Sequence, residues 1–186
     1  MEAAQRSFSH NLACHPLKLF FEDEGRFGRI NNIQKCWFQR GLRPAVKQQL
    51  VREFIYAFNS VCPQTGESFS LILPQADTNA MQYYMDKLSK QYPHYRIILC
   101  MDKAGWHTTK QLRLPQNIIV WFLPPYSPEL NPVEMIWKHI RTKHFNNRIF
   151  DTLNDVEKQL SRSLKEVFVS IHETKQLTFY KWMQLN

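Results

Sequence analysis

Three acidic residues stand where one predicted element of the chain gives way to the next. Asp23 follows the first strand-like apolar run, Asp102 follows the run Arg96–Met101, and Glu134 begins a predicted helix. Ligands of open α/β sheets gather beyond the strand ends, so we expect these carboxylates to converge there. Converging carboxylates repel one another unless a cation neutralises them, and Mg²⁺ prefers oxygen ligands. Two such ions ~3.5–4 Å apart can activate a nucleophile and stabilise a leaving oxygen in phosphodiester chemistry.

The stretch Pro124–Trp137 holds the third acid. It has four prolines within nine residues, which forbid a regular strand or helix because each proline lacks an N–H and fixes φ. Asn131 is then a good N-cap, Pro132 suits the first helical position, and Glu134 falls at the third. On local spacing alone the simpler interpretation is that Glu134 closes a capping box with Asn131.

The two aspartates also have ordinary structural interpretations. Asp23 could be a turn residue ahead of Gly25, and Asp102 could cap a short helix that follows it. Strand alternation places Asp23 on the face opposite to Glu22 and Glu24. Only the combination of the acids at strand ends, in a basic protein, favours a metal-dependent nuclease or strand-transfer enzyme.

Composition narrows the class of protein. The 186 residues are 44% apolar, which predicts one globular domain that buries a core without disulfides. The net charge of +8 predicts a polyanionic partner, nucleic acid first, although a merely basic protein has the same charge. The cysteines and histidines do not occur at the spacings that are typical of zinc sites. Without a long apolar run or a signal core, we expect a soluble intracellular protein.

Hydrophobic periodicity changes along the chain and predicts a mixed α/β fold. The predicted strands are Leu17–Phe21, Gln34–Gln39, Arg52–Val61, Glu67–Leu73, Arg96–Met101 and Ile118–Leu123. The predicted helices are Thr78–Tyr92 with Asp77 or Thr78 as its cap, a short one at Thr108–Leu114, one from Pro132 to about His144, and Asp151–Phe168 with a capping box of Thr152 and Asp155. An antiparallel meander therefore precedes parallel strands. We expect a domain over residues 17–170, with tails at 1–16 and 171–186.

Three segments resemble the catalytic blocks of DDE transposases, in the bacterial insertion-sequence branch of the mariner-like superfamily: Phe21–Gly28, Met101–His107 and Leu123–Trp137. The third segment, with Ser-Pro-Glu-Leu-Asn-Pro-Val-Glu, is highly specific. The resemblance covers roughly residues 17–150 in the family's order. It implies a ribonuclease H-like fold, cut-and-paste DNA transposition and dependence on Mg²⁺ or Mn²⁺, with two ions. By position, Asp23, Asp102 and Glu134 would be the metal-binding triad.

The chain departs from the family pattern in three respects. Between Asp102 and Glu134 lie 31 residues, slightly fewer than is usual. Lys103 stands where Asn or Gly is usual, and on a strand it should point away from Asp102. Family members usually carry an N-terminal helix-turn-helix region that binds the element's ends, and only about 16 residues precede the first strand. We therefore expect a catalytic domain without that region, either a truncated relic or one served by a helix-turn-helix protein from an adjacent frame.

Basic residues are candidates for phosphate contact, because backbone neutralisation dominates nucleic-acid affinity. The candidates are Arg40, Arg43, Lys47, Lys103, His107, Lys138, Arg141 and Lys143. A solvated helix face explains each basic residue nearly as well, and a structural hydrogen bond explains His107 as well. We expect double-stranded DNA as the partner, a dimer or higher oligomer on DNA, and a cytoplasmic location with the nucleoid. A non-catalytic DNA-binding remnant and a stand-alone nuclease of the same fold are the alternatives.

Overall fold

A computed structural model describes residue 12 and residues 14–41, 45–107, 109, 111–180 and 183. Its strands are β1 (Leu17–Ile30), β2 (Leu50–Cys62), β3 (Glu67–Leu73), β4 (Arg96–Met101) and β5 (Ile118–Phe122). They form one sheet in the order β3-β2-β1-β4-β5. The β3-β2-β1 part is antiparallel and the β1-β4-β5 part is parallel. This sheet confirms the predicted mixed α/β class.

Helices cover both faces of the sheet. They are α1 (Thr78–Gln91), α2 (Val133–Ile140), α3 (Leu153–Val169) and α4 (Ile171–Thr178). On one face, α1 contributes four buried side chains, Met81, Tyr84, Met85 and Leu88, to a core with Phe20 and Leu99. On the other face, α2 and α3 bury Ile136, Trp137 and Leu160 against Phe21 and Val61. Alternate residues of β1 therefore enter two separate cores, as strand geometry requires.

The first strand is longer than its sequence predicts. The acidic stretch Glu22–Gly25 does not end β1, which continues to Ile30. Pairing explains the difference, because β4 accompanies β1 only as far as Phe21 while antiparallel β2 stays paired with it to Ile30. Asp23 consequently lies inside a strand, at the level where the parallel neighbour stops. The interpretation of Asp23 as a turn residue is wrong.

The predicted strand Gln34–Gln39 is also wrong, since these residues form no regular element. At Gln34 the side chain of Asn147 occupies the backbone N–H and carbonyl groups that would otherwise pair with a neighbouring strand. The Gln34 N–H donates to Asn147 Oδ1 at 2.8 Å, and Asn147 Nδ2 donates to the Gln34 carbonyl at 3.0 Å. A short-range pattern of apolar residues cannot reveal such a partner more than a hundred positions away.

The predicted short helix at Thr108–Leu114 is absent over the residues described there, 109 and 111–114. The reason is similar, because Gln82 on α1 holds the backbone of Arg113. The Arg113 N–H donates to Gln82 Oε1 at 2.7 Å, and Gln82 Nε2 donates to the Arg113 carbonyl at 2.9 Å. Thr108 and Lys110 lie outside the described residues.

The long helices follow their predictions closely. Asp77 caps α1 by accepting from the Ala80 N–H at 2.8 Å, and Thr152 and Asp155 form the predicted capping box of α3. The segment left as a tail after residue 170 contains α4, where Thr174 and Thr178 are buried. No helix in the described part of the chain is long and apolar enough to cross a membrane.

Replacement of Leu160 tests the packing of α3 on the sheet. Leu160 is fully buried. We expect Leu160→Ala to lower the free energy of unfolding by about 2–5 kcal/mol, through lost apolar burial and a residual cavity. The exposed neighbour Glu157→Ala should change it by less than about 0.5 kcal/mol. Urea denaturation followed by circular dichroism measures both, and equal small effects would contradict this packing.

Candidate active site

Three carboxylates from three separate elements line one cavity of about 410 Å³. Asp23 comes from β1, Asp102 from the loop after β4, and Glu134 from the first turn of α2. The predicted triad is thus brought together, although 111 positions separate its first and last members. The rest of the lining is mainly the proline-rich segment Leu123–Pro128.

The parallel pairing of β1 with β4 places the two aspartates at the same edge of the sheet. Phe21 lies beside Cys100 at the last paired position, and Asp23 and Asp102 each come two residues later. The Leu123 N–H donates to the Met101 carbonyl at 2.9 Å, which holds the turn after β5 against the end of β4. The register of three strands therefore determines the width of the cavity floor.

Asn131 fastens the start of α2 to the centre of the sheet. Its Nδ2 donates to the Glu22 carbonyl at 2.8 Å, while its Oδ1 accepts from the Val133 N–H at 3.2 Å. The N-cap position is Pro132, one residue later than predicted, and Pro132 itself makes no side-chain cap hydrogen bond. The capping box of Asn131 and Glu134 is wrong, because the Asn131 N–H donates to the Pro128 carbonyl instead. The carboxylate of Glu134 is exposed and lines the cavity.

Asp23 is the carboxyl group most perturbed by its surroundings in this cavity. Burial raises its pKa, and the charges of Glu134 and Glu24 raise it further, to about 7. Two donors oppose this shift: Trp137 Nε1 donates to Asp23 Oδ2 at 2.8 Å, and the Glu24 backbone N–H also donates to Asp23. The site without a bound cation therefore contains more negative charge than its surroundings stabilise.

Asp102 has the opposite behaviour. Its Oδ1 is 2.8 Å from His107 Nδ1 and accepts from the Ala104 N–H at 2.9 Å. The hydrogen bond with His107 is the main cause that holds the pKa of Asp102 below its ordinary value. Both contacts fall on Oδ1, so among the described residues Oδ2 is the oxygen left available to a ligand in the cavity. Asp102 therefore caps the tight turn at Ala104, and its predicted role as the cap of a short helix is wrong.

His107 lies behind Asp102, where it is only 4% exposed. Its Nε2 is 2.9 Å from Glu24 Oε1, an oxygen that also accepts from Trp106 Nε1 at 2.9 Å. Burial by itself would lower the pKa of His107, but the hydrogen bonds to Asp102 and Glu24 outweigh it and raise the pKa to about 11. The geometry fits the structural alternative for His107, an imidazolium that orients Asp102, better than contact with a phosphate.

Glu22 completes this cluster on the face of β1 opposite to Asp23. It is fully buried, and neither carboxyl oxygen has a hydrogen-bond partner among the described residues. Burial raises its pKa well above the ordinary value, and the charge of Glu24 adds to the effect. Ligand atoms of Glu22, Glu24 and His107 lie within 4.8 Å of one another. Because both nitrogens of His107 already have acidic or carbonyl partners, we describe the cluster as an internal electrostatic network.

The predicted basic residues take different positions. Lys103 lines the cavity with Asp102, because β4 has ended at Met101 and strand alternation no longer applies. Lys138 is exposed one turn after Glu134. The others are Arg141 stacked 5.2 Å from the Phe27 ring, Lys143 paired with Glu166 at 3.1 Å, and the exposed Arg40 and Lys47 in the connection before β2. Arg43 lies outside the described residues.

Sequence reasoning missed the role of Trp137 beside the triad. Its ring is buried, packs edge-on against Phe27 at 5.7 Å between centroids, and donates to Asp23. A Cβ at Gly25 would come 2.9 Å from the Trp137 ring, so glycine leaves the space that the indole occupies. The available signal was the three-residue spacing from Glu134, which places both side chains on one helix face.

The raised pKa of Asp23 predicts a pH-dependent cost to stability in metal-free buffer. The pKa rises from 3.8 to about 7, so the contribution of Asp23 to stability is complete below pH 3.8 and is lost as the pH rises towards 7. Asp23→Asn should therefore gain stability over the wild type across this range, by up to about 4 kcal/mol.

Urea denaturation at about pH 5 and pH 8, with EDTA present, measures this difference. Asp151→Asn, at an exposed position, is the matched control and should show no such trend. A stability difference between Asp23→Asn and wild type that is the same at both pH values would contradict the described environment of Asp23.

Comparisons with known proteins identify the family of the chain. A family model described as DDE superfamily endonuclease matches residues 18–157. The protein y4pE/y4sA of Sinorhizobium fredii (strain NBRC 101917 / NGR234), itself uncharacterized, is 43% identical over 102 residues, which are 54% of this chain and 76% of that protein.

Solved structures of Mos1 transposase share the fold. The pre-cleavage Mos1 transpososome matches with a TM-score of 0.63 and 17% identity, over 86% of this chain and 53% of that chain. The Mos1 mariner paired end complex with Mn matches with a TM-score of 0.61, the same identity and the same coverage. The chain thus spans about half the length of the Mos1 chains, and its flanked mixed sheet is the predicted ribonuclease H-like fold. Since the family model covers well over half of the sequence, the chain belongs to the DDE superfamily of endonucleases.

Proposed function

We propose that this chain is the catalytic domain of an insertion-element transposase, which cleaves DNA and joins its ends with the help of divalent cations. The observation that carries the proposal is the meeting of Asp23, Asp102 and Glu134 in one cavity, where Glu134 contributes to the raised pKa of Asp23. Membership of an endonuclease superfamily supports the cleavage half of the proposal. The joining half rests on the resemblance to transposases.

The residues of the cavity fit Mg²⁺ or Mn²⁺. The donors are carboxylate oxygens, which hard divalent cations prefer. The pKa of Asp23, raised to about 7 by burial and acidic neighbours, marks a site whose negative charge a cation would relieve. Two ions held by Asp23, Asp102 and Glu134 would act as Lewis acids for water or a DNA 3′-hydroxyl and for the leaving oxygen.

The protein's own contribution is to fix the donors in place. Trp137 holds one oxygen of Asp23, and the Ala104 N–H and His107 hold one oxygen of Asp102. Each aspartate therefore keeps a defined orientation in the cavity. Glu134 has no such restraint at its carboxylate among the described residues, and its position follows from the rigid turn before α2. Metal ligands are commonly oriented by partners of this kind.

Double-stranded DNA is the proposed substrate. Lys103 lines the cavity and Lys138 is exposed one helical turn after Glu134, so both are candidates to neutralise phosphates of a strand bound there. The Mos1 structures are named as a transpososome and a paired end complex, and we propose a similar assembly of two or more copies on DNA for this chain. Recognition of the element's ends would require a helix-turn-helix region. Because DNA is the proposed substrate, we also propose that the protein associates with the nucleoid.

Two alternatives remain distinct from this proposal. A DNA-binding remnant would bind duplex DNA but would not cleave it in Mg²⁺ or Mn²⁺. A stand-alone nuclease would cleave DNA without joining a 3′-hydroxyl end to a second duplex. Incubation of the protein with a labelled 3′-hydroxyl duplex and a supercoiled plasmid separates all three, because nicked, joined and unchanged plasmids migrate differently.

The triad is tested by removing one charge at a time. Asp102→Asn and Glu134→Gln should each reduce Mn²⁺-dependent nicking of a supercoiled plasmid on the order of 10³-fold or more, since each deletes several kcal/mol of transition-state charge stabilisation. Glu129→Gln is the matched control, because Glu129 is exposed in the same proline-rich segment. It should retain wild-type activity.

Thermal denaturation of each variant shows whether it is folded. Wild-type activity in folded Asp102→Asn would refute the assignment of Asp102. Equal loss in the Glu129→Gln control would show that the segment, and not the Glu134 carboxylate, is the sensitive feature.

The phosphate contacts are tested by the salt dependence of DNA affinity. Lys138→Gln should weaken binding to all duplex sequences alike and reduce the slope of log affinity against log salt by about 1. Lys87→Gln, an exposed lysine on α1 over the other face of the sheet, should leave the slope unchanged. Fluorescence anisotropy over a salt series measures both slopes, and identical slopes for the two variants would place the DNA elsewhere.

A further inference from the structure

Tyr126 has an unusual position at the rim of the cavity. Its side chain is fully exposed, with a relative accessibility of 102%, and its φ is 56°. A positive φ is rare for bulky residues and costs on the order of 1 kcal/mol or more. Burial of the ring cannot offset this cost, because an exposed ring has no packing contacts. Packing of the ring within the described protein therefore does not account for the strain at Tyr126.

Asn147 shows what an ordinary positive φ looks like in the same protein. Among the described residues, Tyr126 and Asn147 are the two with positive φ that are not glycine. Asparagine tolerates this conformation, and its side chain makes two hydrogen bonds to the Gln34 backbone, at 2.8 and 3.0 Å. Neither the tolerance of the residue type for a positive φ nor side-chain hydrogen bonds to the backbone explains the conformation of Tyr126.

The backbone around Tyr126 presents the ring rigidly. Pro124 and Pro125 precede it and Pro128 follows it, so three φ angles nearby are fixed. Ser127 Oγ donates to the Pro125 carbonyl at 3.3 Å within the same turn. An aromatic ring on such a support loses little conformational entropy when a ligand stacks on it.

The surroundings indicate which ligand would stack there. Tyr126 lines the cavity together with the three carboxylates and Lys103. A phosphate that reacts between the carboxylates carries a nucleoside on each side, and Lys103 provides a cation for an adjacent phosphate. Nucleobases stack on exposed aromatic rings with little regard to sequence. Pro124, Pro125 and Pro128 add apolar and uncharged surface beside the ring, which suits a base and not a second charged group.

We propose that Tyr126 is a stacking platform for the nucleobase next to the reacting phosphate, and that it holds the DNA end over the carboxylates. This inference rests on the proposed function, because it takes DNA as the substrate of the cavity. Stacking positions the strand and leaves the chemistry to the triad. It also accounts for a strained backbone at a functional rim, where strain is often found.

Two substitutions separate the ring from the backbone. Tyr126→Phe keeps the ring, and Tyr126→Asn removes it while suiting a positive φ, so the Asn variant should melt at or above the wild-type temperature. The DNA probe is a duplex with 2-aminopurine in a short single-stranded 3′ overhang, titrated in Ca²⁺. Wild type and Tyr126→Phe should quench the fluorescence. Tyr126→Asn should not quench it and should bind about 5- to 150-fold more weakly.

An abasic site at the same nucleotide supplies the matched DNA control. On abasic DNA, wild type and Tyr126→Asn should bind equally, because the stacking partner is missing from both complexes. Tyr83→Asn, at a half-exposed tyrosine on α1, should behave as wild type on both DNAs. Equal affinity and quenching for wild type and Tyr126→Asn on intact DNA would overturn the inference. The inference would also be overturned if Tyr126→Asn changed the oligomeric mass measured by analytical ultracentrifugation but left DNA binding unchanged. The ring would then contact a second copy of the chain.

The outcomes for stacking and for the proposed function are separate. If the wild type nicks plasmids and Tyr126→Asn quenches normally, the endonuclease stands and the stacking platform falls. If the wild type never nicks DNA in Mn²⁺ but quenches through Tyr126, the platform stands and the protein is a DNA-binding remnant.

Discussion

The structure depends on one unfavourable interaction, the repulsion between the carboxylates of Asp23 and Glu134. Burial and this repulsion are the two largest causes that raise the pKa of Asp23 to about 7. Three features hold these two carboxylates in one cavity: the four-proline turn, the hydrogen bond of Asn131 to β1 and the buried Trp137. Proteins keep such electrostatic strain at functional sites more often than elsewhere. A divalent cation between the carboxylates would convert the repulsion into attraction.

Strand β1 separates two different electrostatic environments. Asp23 points to the face covered by α2, whereas Glu22 and Glu24 point to the face covered by α1, as alternation requires. His107 connects these environments, because it contacts Glu24 on one side and Asp102 on the other. Asp102 is therefore oriented by a residue that is anchored on the face of the sheet opposite to Asp23. This arrangement lets Asp102 remain 62% exposed at its side chain and still hold one orientation.

The sequence predicts the mixed sheet, the long helices and the triad, because each depends on periodicity or on a specific motif. It fails where a distant side chain takes over a local backbone, as Asn147 does at Gln34 and Gln82 does at Arg113. The predicted end of β1 is wrong for a related reason. Pairing with β2, which local composition does not reveal, continues the strand beyond the acidic residues. For His107 the sequence leaves two interpretations open, the orientation of a phosphate or water and a structural hydrogen bond, because a spacing of five residues from Asp102 cannot reveal that the ring is buried.

Binding of divalent cations by Asp23, Asp102 and Glu134 together underlies the proposed chemistry. Anomalous X-ray diffraction from crystals soaked in Mn²⁺ tests this binding directly, because the metal is located without reference to any activity. We expect anomalous peaks in the cavity, with carboxylate oxygens of all three residues at bonding distance, as is usual for Mn²⁺ bound by carboxylates. A cavity with no Mn²⁺ peak, or a peak only at Glu22, Glu24 and His107 behind it, would refute the assignment of the metal site to these three residues.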